Sequence, residues 1–152
     1  MTNKSRMFLL FNGTVSVVTL VFLFVFTYQL GIAVDELGTT PAVILGCEYM
    51  NLVKWALLPV TLITAIVSLI QLLRKKLMNH FPLINGIVSL GILSFLMKLM
   101  YNLGIAIDEF VSPSSFFLGS EFMSQLLWAL LPITLLVVVI SFILAFKKNK
   151  KL

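Results

Sequence analysis

Four long apolar stretches dominate the chain, separated by three short segments where polar and charged residues collect. They run at about 7–34, 49–73, 81–107 and 122–146, and each exceeds the ~20 mostly apolar residues that a helix needs to cross a bilayer. With so little chain left between them, the pattern predicts an all-α, polytopic membrane protein of four transmembrane helices and no water-soluble domain. The lipid bilayer is then the first partner of most of its surface.

The pattern also repeats. Sliding the sequence by 73 residues aligns positions 8–76 with 81–149 without a gap, and 30 of the 69 pairs are identical. Tyr28-Gln29-Leu30-Gly31-Ile32-Ala33-Val34-Asp35-Glu36 returns as Tyr101-Asn102-Leu103-Gly104-Ile105-Ala106-Ile107-Asp108-Glu109, and Trp55-Ala56-Leu57-Leu58-Pro59 returns as Trp128-Ala129-Leu130-Leu131-Pro132. Shared hydrophobicity alone does not give such agreement, so the expected organisation is two hairpins, residues 1–76 and 77–152. A unit of two spans leaves the membrane on the side where it entered. The copies should therefore be parallel, related by a pseudo-two-fold axis along the membrane normal, unlike an inverted-repeat transporter.

Charge then sets the expected orientation. Nine of the eleven basic residues sit at the amino terminus (Lys4, Arg6), the middle linker (Arg74, Lys75, Lys76) and the carboxyl terminus (Lys147, Lys148, Lys150, Lys151). All six acidic residues, Asp35, Glu36, Glu48, Asp108, Glu109 and Glu121, fall in or beside the two alternate loops. Excess Lys and Arg marks the cytoplasmic side, so both termini and the linker are expected inside a cell membrane. A formal net charge of +5 would suggest nucleic acid only on a soluble surface, and no nucleic-acid partner is expected here. The first apolar run is too long for a signal-peptide core and lacks a small-residue cleavage site. Cys47 follows a loop, unlike a lipoprotein cysteine, and a lone cysteine forms no intrachain disulfide. The lysine-rich, arginine-poor usage suggests a bacterial chain.

In each outer loop Thr40-Pro41 and Ser112-Pro113 read as a cap followed by proline at the first helical position. They open short interfacial segments that Gly46 and Gly119 would end, leaving Glu48 and Glu121 in the first turn of the returning helices, at the favourable end of the helix dipole.

Polar groups inside the spans are few, and in lipid each needs a partner. Asn12, Ser16 and Thr19 share one face of the first span, and Asn85 and Ser89 recur on the third; interhelical hydrogen bonds beside Gly13 and Gly86 explain them. Tyr28 and Tyr101 lie at the outer ends, Tyr28 on one face with Asp35. Lys98 stands inside the third span on a stripe with Gly91, Ser94, Tyr101, Ile105 and Asp108, and a charge so placed is expected to face protein or a watery recess. Pro59 and Pro132 each remove one helical hydrogen bond and predict kinks, with Thr61 and Thr134 available to the freed backbone groups. Trp55 and Trp128 fit an aromatic belt.

No enzyme constellation is present. His80 is the single histidine, there is no Cys-x-x-Cys and no phosphate-binding glycine loop, and nothing calls for a cofactor. The most informative feature is the acidic outer rim, where the six carboxylates would gather and attract cations, either metal ions or basic groups on a partner. The expectation is a non-enzymatic membrane protein that binds a membrane-protein or peptide partner through this rim, of immunity, resistance or accessory-subunit type. The alternative is a homo-oligomeric cation channel or transporter.

Overall fold

A computed structural model describes residues 3–37, 41–78, 80–109 and 115–149; at 33, 37, 41–46, 103, 106–109, 115–123, 148 and 149 it describes the backbone alone. Four α-helices follow one another, α1 (Asn3–Leu37), α2 (Pro41–Leu73), α3 (Phe81–Glu109) and α4 (Ser115–Asn149), with no strand among the described residues. Each contains a stretch long and apolar enough to cross a membrane, within Asn3–Glu36, Cys47–Leu73, Phe81–Asn102 and Ser124–Lys147.

The helices are longer than the apolar runs. α2 begins at Pro41 and passes through Gly46 without interruption, and α4 runs from Ser115 through Gly119. The expected glycine-terminated interfacial segments are therefore the opening turns of α2 and α4 themselves. A glycine costs a helix only about 1 kcal/mol relative to alanine, which unbroken backbone bonding on either side outweighs where water is scarce. Glu48 consequently lies in the second turn of α2, not the first. Thr40, Ser112 and Pro113 lie outside the described residues. α2 and α4 also remain helical across Pro59 and Pro132.

α1 packs along α2 and α3 along α4; the two hairpins meet mainly through α2 and α4, while the α1 and α3 backbones stay further apart. Side chains bridge that gap. The rings of Phe8 and Phe81 meet edge to face with centroids 6.2 Å apart, and Asn85 reaches Asn12. Asn12, Ser68, Asn85 and Ser141 thus converge, so the starts of α1 and α3 and the ends of α2 and α4 lie at one end of the bundle, called the terminal end below.

The core has two layers. Towards the loop end, Leu23, Leu30, Met50, Val53, Leu57, Leu96, Leu99, Leu126, Leu127 and Leu130 form one buried apolar cluster. Towards the terminal end, buried polar residues, Asn12, Ser16, Thr19, Thr61, Ser68, Gln71, Asn85, Ser89 and Ser141, are set among apolar ones such as Phe8, Leu9, Val137 and Val138. Between α2 and α3 the linker folds back on the helix end. Lys76 N donates to Gln71 O and Lys75 N to Leu72 O, with Lys75 in the left-handed region at φ 51°, the arrangement of a Schellman motif.

Candidate functional site

The polar layer is built on the face of each helix that points to its neighbours. Asn12, Ser16 and Thr19, at i, i+4 and i+7 on α1, are all buried, as helical periodicity requires once one of them is turned inward. Asn85 Nδ2 donates to Asn12 Oδ1 at 3.3 Å and to Ser141 Oγ at 3.0 Å, while Asn12 Nδ2 donates to Ser68 Oγ at 3.5 Å. Ser16 and Thr19 hydroxyls donate to the carbonyls of Asn12 and Val15 on their own helix. Beside this network a cavity of about 50 Å³ is lined by Asn12, Ser16, Thr19, Thr61, Thr64, Asn85, Ser89 and Thr134 among others. It has room and hydrogen-bonding partners for a few waters.

Above the cavity, Leu23, Leu57, Leu96 and Leu130 are almost wholly buried. These four leucines, one from each helix, belong to the apolar cluster that lies between the polar layer and the loop end, and Leu57 also lines the cavity.

Pro59 and Pro132 face away from the bundle, and the neighbouring threonines do not serve the carbonyls they free. Thr61 Oγ1 donates to Leu57 O at 2.8 Å and Leu58 O at 3.1 Å; Thr134 Oγ1 donates to Leu130 O at 3.0 Å and Leu131 O at 2.9 Å. The carbonyls of Trp55 and Trp128, four residues before each proline, gain nothing from them. Trp55 and Trp128 project outward, as do Tyr28 and Tyr101.

At the loop end Asp35, Glu36 and Glu48 are exposed. The side chains of Asp108, Glu109 and Glu121, the other half of the expected rim, lie outside those described. Among the described residues no three of His, Cys, Asp and Glu converge as a metal site would require.

Lys98 departs from expectation. Gly91, Ser94, Lys98, Tyr101 and Ile105 do share one stripe of α3, but all five are exposed, turned away from the other helices. The physical reason lies on the opposite face. Asn85, Ser89, Leu96 and Leu99 follow the same 3 and 4 spacing, and α3 directs that set into the core. A helix has one inward face, and the amides and leucines hold it. Ser94 Oγ donates to its own Leu90 O at 3.0 Å, and among the described residues no ion pair engages Lys98.

An apolar groove of about 420 Å³ runs between α1 and α2 near the terminal end, past Leu9, Gly13, Val17, Ala65 and Leu69. Next to Gly86, at the corresponding place between α3 and α4, the ring of Phe142 stands 3.5 Å from where a Cβ would be, so that hairpin is filled where the first is open.

A scan against family models and comparisons with curated proteins and solved structures find no match.

Three contributors were overlooked in the sequence. Ser68 and Ser141 complete the asparagine network, and their recurrence at the 73-residue offset was a visible signal. Gln71, polar at the end of an apolar run and matched by Leu144 at that offset, accepts from Met78 N at 3.0 Å and anchors the linker.

Proposed function

We propose that the chain is a non-enzymatic protein of a bacterial cytoplasmic membrane that binds a peptide or membrane-protein partner through the acidic groups at its loop end, as an immunity, resistance or accessory protein. In this reading the bundle is a tandem parallel repeat of two hairpins about a pseudo-two-fold axis along the membrane normal. Its termini and linker are inside, and Asp35, Glu36, Glu48, Asp108, Glu109 and Glu121 ring the outer surface. Support for the repeat comes from the equivalent bonds Asn12 to Ser68 and Asn85 to Ser141, each spanning 56 residues and related to the other by the 73-residue offset. Lys4, Arg6, Arg74, Lys75, Lys76 and Lys147 are exposed at the opposite end from Asp35, Glu36 and Glu48, the charge asymmetry of an oriented membrane protein.

The observation that carries the functional reading is the leucine layer. Leu23, Leu57, Leu96 and Leu130, buried in one apolar cluster, lie between the polar layer and the acidic end, which favours recognition at the surface over a transport path through one bundle.

The test is twofold. A bacterial host expressing the protein should survive cationic membrane-active peptides better than the same host expressing the quadruple variant Asp35→Asn, Glu36→Gln, Asp108→Asn, Glu109→Gln. Purified protein in vesicles should carry no cation flux. Equal survival with equal peptide binding removes the rim from the account; cation-selective flux by the wild type moves the assignment to a homo-oligomeric channel or transporter.

A further inference from the structure

The exposed face of α3 around Lys98 places a charge where a membrane surface is otherwise apolar. α3 has 29 residues, about 44 Å at 1.5 Å per residue, and its midpoint is Phe95. Lys98 lies three residues further, ~4.5 Å along the axis, so an α3 centred in a ~30 Å hydrocarbon core holds it ~10 Å from the nearer edge. Met97 beside it in the chain and Ile105, two turns on along the same face, are exposed and apolar. An ammonium at that depth is costly unless paired or carried to the interface.

The chain itself offers no partner at that level. Along α3 the next carboxylate is Asp108, ten residues or ~15 Å away, and Glu48, nine residues before the midpoint of α2, stands ~9 Å nearer the loop end than Lys98. A second copy in the same orientation presents its carboxylates at the same remote levels. An anionic lipid has its phosphate in the headgroup layer, outside the hydrocarbon core. The surface around Lys98 admits close approach, since a Cβ on Gly91 would meet nothing within 4 Å and Ser94 has its hydroxyl engaged by its own helix. Small residues beside a polar one are the means by which helices associate in lipid.

We infer that the Gly91, Ser94, Lys98, Tyr101 face of α3 docks a transmembrane helix of another protein that carries an Asp or Glu within its span, level with Lys98. The ion pair removes two intramembrane charges at once and fixes the depth and rotation of the partner. This surface is separate from the acidic end, and the inference does not rest on the function proposed above.

The experiment uses the full-length protein, labelled with a fluorescence donor and reconstituted in vesicles of neutral lipid near neutral pH. The probes are acceptor-labelled single-span polyleucine peptides with one Glu, one Gln or no polar residue at the level of Lys98. The Glu peptide should associate about tenfold more tightly than the polyleucine peptide, the equivalent of ~1.4 kcal/mol. Lys98→Met should abolish that preference and Lys98→Arg retain it. Equal association of Glu and polyleucine peptides, or a preference that survives Lys98→Met, overturns the inference and leaves Lys98 a residue that snorkels to the interface. A photocrosslinker at Ser94 that traps a second copy of this chain in native membranes, in a Lys98-dependent way, overturns it equally. Because Lys98 faces outward, Lys98→Met is expected to fold, and unchanged energy transfer between labels on α1 and α4 checks this.

Discussion

Asn85 donates one side-chain amide both to Asn12 Oδ1 and to Ser141 Oγ, and its bond to Asn12 is, among the described residues, the one side-chain hydrogen bond that joins the two hairpins in the polar layer. Asn85→Leu leaves the Asn12 carbonyl oxygen buried without its donor, and the expected loss of stability is about 1–3 kcal/mol. Ser141→Ala removes one bond of a kind that averages about 0.6 kcal/mol between membrane helices. Unfolding in mixed micelles should rank them in that order. A cycle with Asn12→Leu should give a coupling above ~0.5 kcal/mol, and additive losses would disconnect the two amides.

Gly13 and Gly86 sit at equivalent places on α1 and α3, yet their surroundings differ. A Cβ at 13 meets Ser68 Cβ at 3.6 Å, an ordinary contact, whereas at 86 it meets Ser141 Cβ at 3.3 Å with the Phe142 ring close behind. Ser141 Cβ is fixed to the backbone of α4 and can yield only if the helix moves. Gly13→Ala should therefore gain part of the ~1 kcal/mol that separates alanine from glycine in helices. Gly86→Ala should lose about 1 kcal/mol through overpacking. Melting temperatures in detergent that shift equally for both would contradict the difference in packing.

The spans were legible because lipid imposes length and apolarity on them. Which way each helix faces was not. Lipid is as apolar as the bundle interior, so a spanning helix need not show the one-sided hydrophobic stripe that marks the buried face of a soluble one. Only rare polar and small residues carry the information. Asn12, Ser16, Thr19, Asn85 and Ser89 carried it correctly into the core, since amides in lipid seek other protein groups. Lys98 misled, because its stripe with Ser94 and Tyr101 is as regular as the stripe of Asn85 and Ser89, and periodicity alone does not choose between two faces of one helix. Gly46 and Gly119 misled for another reason: glycine ends a helix only where water or a turn can take over the freed carbonyls.

Gln71 holds the linker against the end of α2. It is 3% exposed, its Oε1 accepts from Met78 N, and its Nε2 has no partner among the described residues. Gln71→Leu loses one hydrogen bond but also removes a buried, unpaired amide, and the two terms are of similar size, about 1 kcal/mol each. Global stability should stay within ~1 kcal/mol of the wild type while the linker loosens. Limited trypsin digestion in detergent should cut after Arg74, Lys75 or Lys76 several-fold faster. Unaltered cleavage would show that the Met78 contact does not restrain the linker.

Lys75 closes α2 in a conformation that suits glycine. At φ 51° a side chain brings Cβ close to the following carbonyl, a strain of roughly 1–2 kcal/mol for an L-residue. Glycine is the usual occupant of this position. Lys75→Gly should raise stability by up to ~1 kcal/mol, less the ~0.3 kcal/mol that a cation contributes near a helix C-terminus. Lys75→Ala keeps the strain, loses the charge and should be slightly destabilising. Arg74 and Lys76 remain in both variants, so the basic linker still favours its side of the membrane and any change in melting temperature reports the backbone. If alanine and glycine shift the melting temperature alike, the left-handed turn at Lys75 is not what terminates α2.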